Sequence, residues 1–166
     1  MKFFYLFIAF VLAFAPVNAK DWKALWITSG SCQSVTNSWI CYHKTVELPE
    51  PDGSPVYADI AVDSKYWMWI NGELVVFEGG LKRGPNPRDT YYDRVDIAPY
   101  LTEGKNSIAI LLWYFGKDGF SHNSSGRAGL LFDCQTEKFR ILSDASWKCK
   151  PYEPISSADI GIAGEN

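Results

Sequence analysis

The chain has 166 residues, enough for one domain and at most a small appendage. Apolar residues make up 47% and charged residues 21%, an ordinary globular balance that argues against a disordered chain. The net charge of −3, without clusters of Lys or Arg, argues against a nucleic-acid partner or an anionic membrane surface.

In chain order, Lys2 precedes an unbroken apolar run from Phe3 to Phe14, and Val17-Asn18-Ala19 fits the small-residue rule for leader cleavage. The expectation is a signal peptide over 1–19, a mature chain starting at Lys20, and a secreted or periplasmic location. The run is shorter than the ~20 apolar residues of a membrane span, so no membrane span is expected after cleavage. Export permits disulfides among Cys32, Cys41, Cys134 and Cys149, but the sequence does not choose among the three pairings. No Cys-x-x-Cys occurs and His122 lies far from any Cys, which argues against a zinc site.

The rest reads as strands and turns. Ile40 to Leu48 is an early strand, followed by a turn-rich stretch from Pro49 to Pro55. Val56, Ala58, Ile60 and Val62 alternate with Tyr57, Asp59, Ala61 and Asp63, which predicts a half-buried strand. Tyr66 to Ile70 and Glu73 to Phe77 flank Asn71-Gly72, the strongest short hairpin signal, because both turn positions need positive φ. Asp96-Ile97-Ala98-Pro99-Tyr100-Leu101 predicts one helical turn, with a carboxylate to cap it and Pro in its first turn. Ser107 to Tyr114, Ala128 to Phe132 and Phe139 to Leu142 are further strands. Strands with closely spaced turns and no long helix predict an all-β sandwich over 20–149. Residues 150–166 show no period and read as a linker or the start of another domain.

Aromatics reach 16%, with seven Trp, nine Tyr and ten Phe, and this excess goes either into a core or onto a binding surface. The sequence holds no Gly-x-Ser-x-Gly, no His-Glu-x-x-His and no phosphate-cradling glycine loop. A Ser-His-Asp arrangement can be drawn through His122, but the reading as a polar loop histidine is preferred. Asp59/Asp63 and Asp93/Asp96 are read as turn and cap residues rather than as a glycosidase pair, which needs a cleft for a sugar ring. Two segments carry binding chemistry. Trp113 and Tyr114 lead into a loop holding Asp118, His122, Asn123 and Arg127. Aromatic faces there suit the apolar face of a pyranose, and the amide, carboxylate and guanidinium groups suit its hydroxyls. The second segment, Gly79 to Tyr92, is a long Gly/Pro-rich loop carrying Arg88, Asp89 and Tyr91. Asn123-Ser124-Ser125 is also a glycosylation sequon.

Five pieces act together as a signature: Trp22-x-x-x-Trp26-Ile27; Ala58-Asp59-Ile60-x-x-Asp63-x-x-Tyr66; Ile70-Asn71-Gly72; Tyr92-Asp93-x-x-Asp96-Ile97-x-x-Tyr100-Leu101-x-x-Gly104-x-Asn106-x-Ile108-Ala109; and Trp113-Tyr114-Phe115. Over about Lys20 to Trp147 they resemble the N-terminal β-sandwich module of bacterial α-L-rhamnosidases, glycoside hydrolase family 78. The hairpin and crossover also resemble the sugar-binding domain of β-galactosidases and β-glucuronidases. The resemblance implies a galactose-binding-like jelly-roll β-sandwich. It also implies a rhamnose-containing glycan as ligand and a downstream catalytic domain as partner. The family's catalytic carboxylates lie in an (α/α)₆ barrel, so no catalytic residue is carried over. Some relatives bind L-rhamnose with calcium through loops at one end of the sandwich. That site is not matched residue by residue here; on oxygen-ligand chemistry alone Asp89, Asp93 and Asp118 are the calcium candidates, if their loops converge.

Overall fold

A computed structural model describes residues 20–81, 91–119 and 122–153; the expected leader, Arg88, Asp89 and the residues after 153 lie outside these. Among the described residues there are nine strands: β1 (Ser38–Leu48), β2 (Tyr57–Asp63), β3 (Lys65–Ile70), β4 (Glu73–Gly80), β5 (Asp93–Asp96), β6 (Gly104–Tyr114), β7 (Gly129–Gln135), β8 (Arg140–Leu142) and β9 (Lys148–Pro151). They form two antiparallel sheets, ordered β4-β3-β6-β1-β9 and β5-β2-β7-β8. This is the all-β sandwich that the strand pattern predicts, with the jelly-roll form that the resemblance implies. Among the described residues, the one helical element is a 3₁₀ turn at Ala98–Tyr100, and no helix is long and apolar enough to cross a membrane.

The period of two decides which side chains enter the core. On β6, Ile108, Ile110, Leu112 and Tyr114 point inward, while Ser107, Ala109, Leu111 and Trp113 point outward. Ile40 and Met68 stand opposite Leu112 and Ile110, so the β1, β6 and β3 inner faces merge into one apolar layer. That layer meets Ala58, Ile60, Val62, Leu130 and Phe132 of the other sheet. Each fully buried large side chain contributes about 1.5–3 kcal/mol relative to an exposed one.

β2 departs from its predicted half-burial. Asp59, Ala61 and Asp63 on its outer face are buried as well. The cause is a strap formed by residues 20–28, which crosses the outer face of the four-stranded sheet. Ala24 packs on Ala61 and Leu131, with Trp22 and Leu142 alongside. Asp133 accepts hydrogen bonds from the amides of Lys23 (2.8 Å) and Ala24 (3.2 Å), and Ile27 bridges to Leu130. Lys20 pairs with Asp59 and lies over the rings of Trp22 and Tyr92. The Trp22-x-x-x-Trp26-Ile27 segment is therefore a cover for a sheet face.

The hairpin and crossover signatures also meet in space. Asn71 and Gly72 adopt φ of 52° and 87°, as the turn requires. The Asn71 amide donates to Tyr100 O and to Asn106 Oδ1, both at 2.8 Å, and Asn71 Oδ1 accepts from the Ser107 amide at 2.9 Å. Asn106, fully buried, also accepts from the Thr102 amide (2.9 Å) and donates to Thr102 O (2.7 Å) and Gly104 O (3.0 Å). Asp96 accepts from the amides of Val56 and Ala98, each at 3.1 Å. The long Asp-Ile-x-x-Tyr-Leu-x-x-Gly-x-Asn pattern is thus a hydrogen-bonded knot at one end of the sandwich.

Two strands escape the sequence pattern. β5 and β9 are four-residue edge strands, mostly polar, so they carry no hydrophobic period to detect. β9 pairs with β1 through Pro151, and the Tyr152 amide bonds to Trp39 O. The sandwich therefore runs past the boundary expected at residue 149.

Candidate functional site

The antiparallel order brings the ends of β2, β4 and β6 and the starts of β1, β3, β5 and β7 to one end of the sandwich, here the loop end. Every described residue singled out from the sequence lies there: Tyr91 ahead of β5, Trp113 and Tyr114 at the tip of β6, and Asp118, His122, Asn123 and Arg127 in the β6–β7 connection.

Beneath this connection lies a buried polar floor centred on Asp63. Its carboxylate accepts from Ser64 Oγ (2.8 Å), Ser124 Oγ (3.1 Å), the Ser125 amide (2.6 Å) and Ser125 Oγ (2.7 Å). His122 Nε2 lies 3.2 Å from Asp63 Oδ1 and 3.1 Å from Ser64 Oγ, and all three side chains are buried. Burial alone would raise the Asp63 carboxyl. The bonds from His122, Ser125 and Ser64 outweigh it and hold the carboxyl below its ordinary value.

The proton count in this cluster decides its chemistry. Ser64 gives its hydroxyl proton to Asp63 and accepts from the Phe115 amide at 3.1 Å. Nε2 of His122 is then a donor toward both Ser64 and Asp63, and Nδ1 is buried with no hydrogen-bond partner among the described residues. A nucleophilic triad needs the base nitrogen free to take the serine proton, with the carboxylate on the opposite nitrogen. Here both partners face the same nitrogen, which is not the arrangement of a triad, and the cluster ties the loop to β2. His122, expected among the sugar contacts, has its side chain sealed into this floor.

The rim above is stitched by short bonds. Asp118 accepts from the Ser124 amide (2.8 Å), Gly119 and His122 pair through their backbones, and Ser125 Oγ donates to Arg127 O (3.1 Å). Asp118 and Arg127 are exposed, and Asn123 is half-buried. Tyr91 is 53% exposed. Tyr114, expected as a ligand contact, is turned inward by the alternation of β6 and lies 1% exposed beneath Ser124. Burial raises its phenol above the ordinary value, with the Ser124 hydroxyl and Asp63 as smaller influences.

Trp113 stands on the outer face of the five-stranded sheet in a ladder of rings. It stacks on Trp39 (4.8 Å, 8°), which stacks on Trp67 (5.5 Å, 24°). Phe115 meets its edge at 4.6 Å, and its indole N–H donates to Asn37 Oδ1 at 2.9 Å. One face of Trp113 is thus engaged by Trp39, and the buried Phe115 packs against the same ring. This ladder needs the cross-sheet register Trp39↔Trp113, which no single segment reveals.

Asp59 and Asp63 do share one face of β2, but Lys20 holds the first and the loop serines hold the second. Among the described residues, no three His, Cys, Asp or Glu groups gather as a metal site. Of the calcium candidates, Asp93 accepts from the Gly80 amide (2.8 Å) and Asp118 from the Ser124 amide (2.8 Å), while Asp89 lies outside the described residues.

The opposite, far end carries a cavity of about 460 Å³ lined by Leu48, Pro49, Pro55, Val56, Pro99 and Phe139. None of the expected binding residues lines it. The sequence marks it only through the turn-rich prolines after β1.

Comparison with solved structures places the fold among sugar-acting and sugar-binding proteins. A family 78 rhamnosidase from Bacillus sp. GL1 matches with a TM-score of 0.69 and 30% identity, over 80% of this chain and 14% of that one. An α-L-rhamnosidase from Streptomyces avermitilis, complexed with L-rhamnose, matches with a TM-score of 0.56 and 23% identity, over 81% and 13%. The apo Pleurotus ostreatus lectin shares the fold at a TM-score of 0.50 and 20% identity, over 76% and 35%. The chain resembles family 78 α-L-rhamnosidases over about four-fifths of its length and spans 13–14% of the length of these two. No protein-family model and no curated protein matches it.

Proposed function

We propose that the chain is an exported, non-catalytic carbohydrate-recognition module that works beside a glycoside hydrolase domain and takes a rhamnose-containing glycan at its loop end. One observation carries this reading. A rim with exposed Asp118 and Arg127 is held from below by the buried Asp63 hub, at the end of the sheet that carries Trp113. Preorganised polar groups beside aromatic edges are what a pyranose needs, because its hydroxyls and its apolar face are recognised together. The 30% match to a rhamnosidase supports rhamnose as the sugar, and Lys2 to Ala19 supports export through a cleaved leader. A non-catalytic role is supported by the engaged Asp59 and Asp63 and by the geometry around His122.

The test is calorimetric titration of the purified chain with L-rhamnose and methyl α-L-rhamnoside, with and without calcium. Binding that Arg127→Ala and Asp118→Ala each weaken about tenfold supports the reading. No heat with any rhamnoside in either condition overturns it. Trp113→Ala is a poor probe, because it also breaks the ring ladder.

A second reading is favoured by the outer face of the five-stranded sheet. There Phe77, 72% exposed, extends the ladder by meeting Trp67 edge-on. An aromatic face of this kind suits packing against the remainder of a longer enzyme, with the module as a brace. Phe77→Ser would then weaken association with a separately expressed rhamnosidase catalytic domain and leave any rhamnose binding intact.

A further inference from the structure

All four cysteines are free thiols: Cys32 and Cys134 are buried, Cys41 is half-buried and Cys149 is exposed. Their places in the two sheets decide which of them can meet. Cys149 pairs in register with Tyr42 across β1 and β9, so both side chains face the inner side of the five-stranded sheet at its β9 edge. Tyr42 OH donates to Ile27 O (3.4 Å), and Cys149 Sγ donates to the next carbonyl, Thr28 O (3.5 Å). One residue further on, the Ser29–Cys32 turn closes through the Cys32 amide and delivers Cys32 into the same apolar cluster as Tyr42. Both thiols lie near enough to the Tyr42 phenol to influence its ionisation, which burial raises first of all. Cys41 projects from the opposite face of β1, with the sheet between it and Cys32. Cys134 lies inside the other sheet between Ala58 and Ile141, its thiol pushed up to about 12 by burial.

We infer that Cys32 and Cys149 are a redox pair that closes to a disulfide and staples the 28–37 loop to the β9 edge. The oxidant is a low-molecular-weight or protein disulfide. The accessible Cys149 thiolate attacks one of its sulfurs, forms a mixed disulfide and expels the first thiol. The Cys32 thiolate then attacks the Cys149 sulfur, forms the Sγ–Sγ bond and expels the second. The two cysteine protons and two electrons end on the reduced oxidant. Burial raises the Cys149 thiol, so the first step accelerates as pH rises.

The staple bears on the loop end directly. Within the same loop, Gln33 O accepts from the Ala128 amide (2.9 Å), Asn37 N donates to Phe115 O (3.1 Å), and Asn37 Oδ1 holds the Trp113 indole. Closing the pair therefore braces the end of the sheet that carries Trp113. The pairing does not depend on sugar binding, so failure of one leaves the other standing.

Oxidised glutathione added to the purified full chain tests it, read by intact mass, thiol titration and chymotryptic mapping, since cleavage at Trp39 separates Cys32 from Cys41. The expected result is loss of two hydrogens and a fall from four free thiols to two. The mapping should give a crosslink joining the Cys32 and Cys149 peptides, and Tm should rise by about 5 °C. Cys149→Ala, an exposed position that leaves the core intact, abolishes the crosslink and the Tm rise, while Cys41→Ala does neither. Four unchanged thiols, glutathione adducts without a crosslink, or a crosslink that includes Cys41 or Cys134 would each overturn the inference.

Discussion

The two ends of the sandwich are each closed around one buried polar side chain, a carboxylate at the loop end and an amide at the far end. Asp63 gathers Ser64, Ser124, Ser125 and His122. Asn106 gathers Asn71, Thr102 and Gly104. An amide can both donate and accept, so Asn106 satisfies backbone donors and carbonyls together and carries no charge. A carboxylate only accepts. Asp63 therefore draws in hydroxyls and amides from one loop and makes that loop sensitive to acid. The end built to stay fixed uses the neutral hub, and the end proposed to meet a ligand uses the charged one.

The largest effect is expected at the far end. Asn106→Ala leaves the Thr102 amide and carbonyl and the Asn71 amide without their partner, and urea unfolding should show a loss of about 3 kcal/mol. At the loop end, Asp63→Asn keeps the shape but confronts five donors with an amide that accepts through only one atom. A loss of about 2 kcal/mol is expected, together with faster amide exchange through 122–127. If the two variants instead destabilise equally and globally, the distinction between a fixed end and a responsive one fails.

Acid sharpens the same comparison. The Asp63 carboxyl is lowered in the fold from its ordinary 3.8. The stability it carries is fully present above that value and is lost as pH falls through the lower folded value. Asp133, which burial raises and Gln135 and the strap amides lower further, follows the same sign. Unfolding free energy measured from pH 6 downward should therefore decline below about pH 4. Asp63→Asn should flatten that decline, and Asn106→Ala should leave its slope unchanged. The smallest effect on stability is predicted for Arg127→Ala, within about 0.5 kcal/mol because the side chain is exposed, so any change in rhamnoside binding reports contact and not folding.

Much of this was legible in the residues. The alternation of Ile108, Ile110 and Leu112 and the Asn71-Gly72 turn are local, and local patterns survive in one dimension. Clustering of Trp113, Asp118, His122, Asn123 and Arg127 was also legible, because a strand tip and its loop stay together in any antiparallel sandwich. Tyr114 was misjudged because its aromatic character was weighed ahead of its even place in the alternation of β6. The role of Asp63 was hidden: its partners Ser124 and Ser125 lie 61 and 62 positions away.

Period and turn chemistry are properties of neighbouring residues, so the primary structure was enough to specify strands, hairpin, 3₁₀ turn and the end of the molecule where polar loops gather. Register and layer packing join residues far apart in the chain. Only the folded sheets decided that Trp113 enters a ladder with Trp39 and Trp67, that a strap buries the outer face of β2, and that Cys32 and Cys149 share one side of a sheet while Cys41 is left on the other.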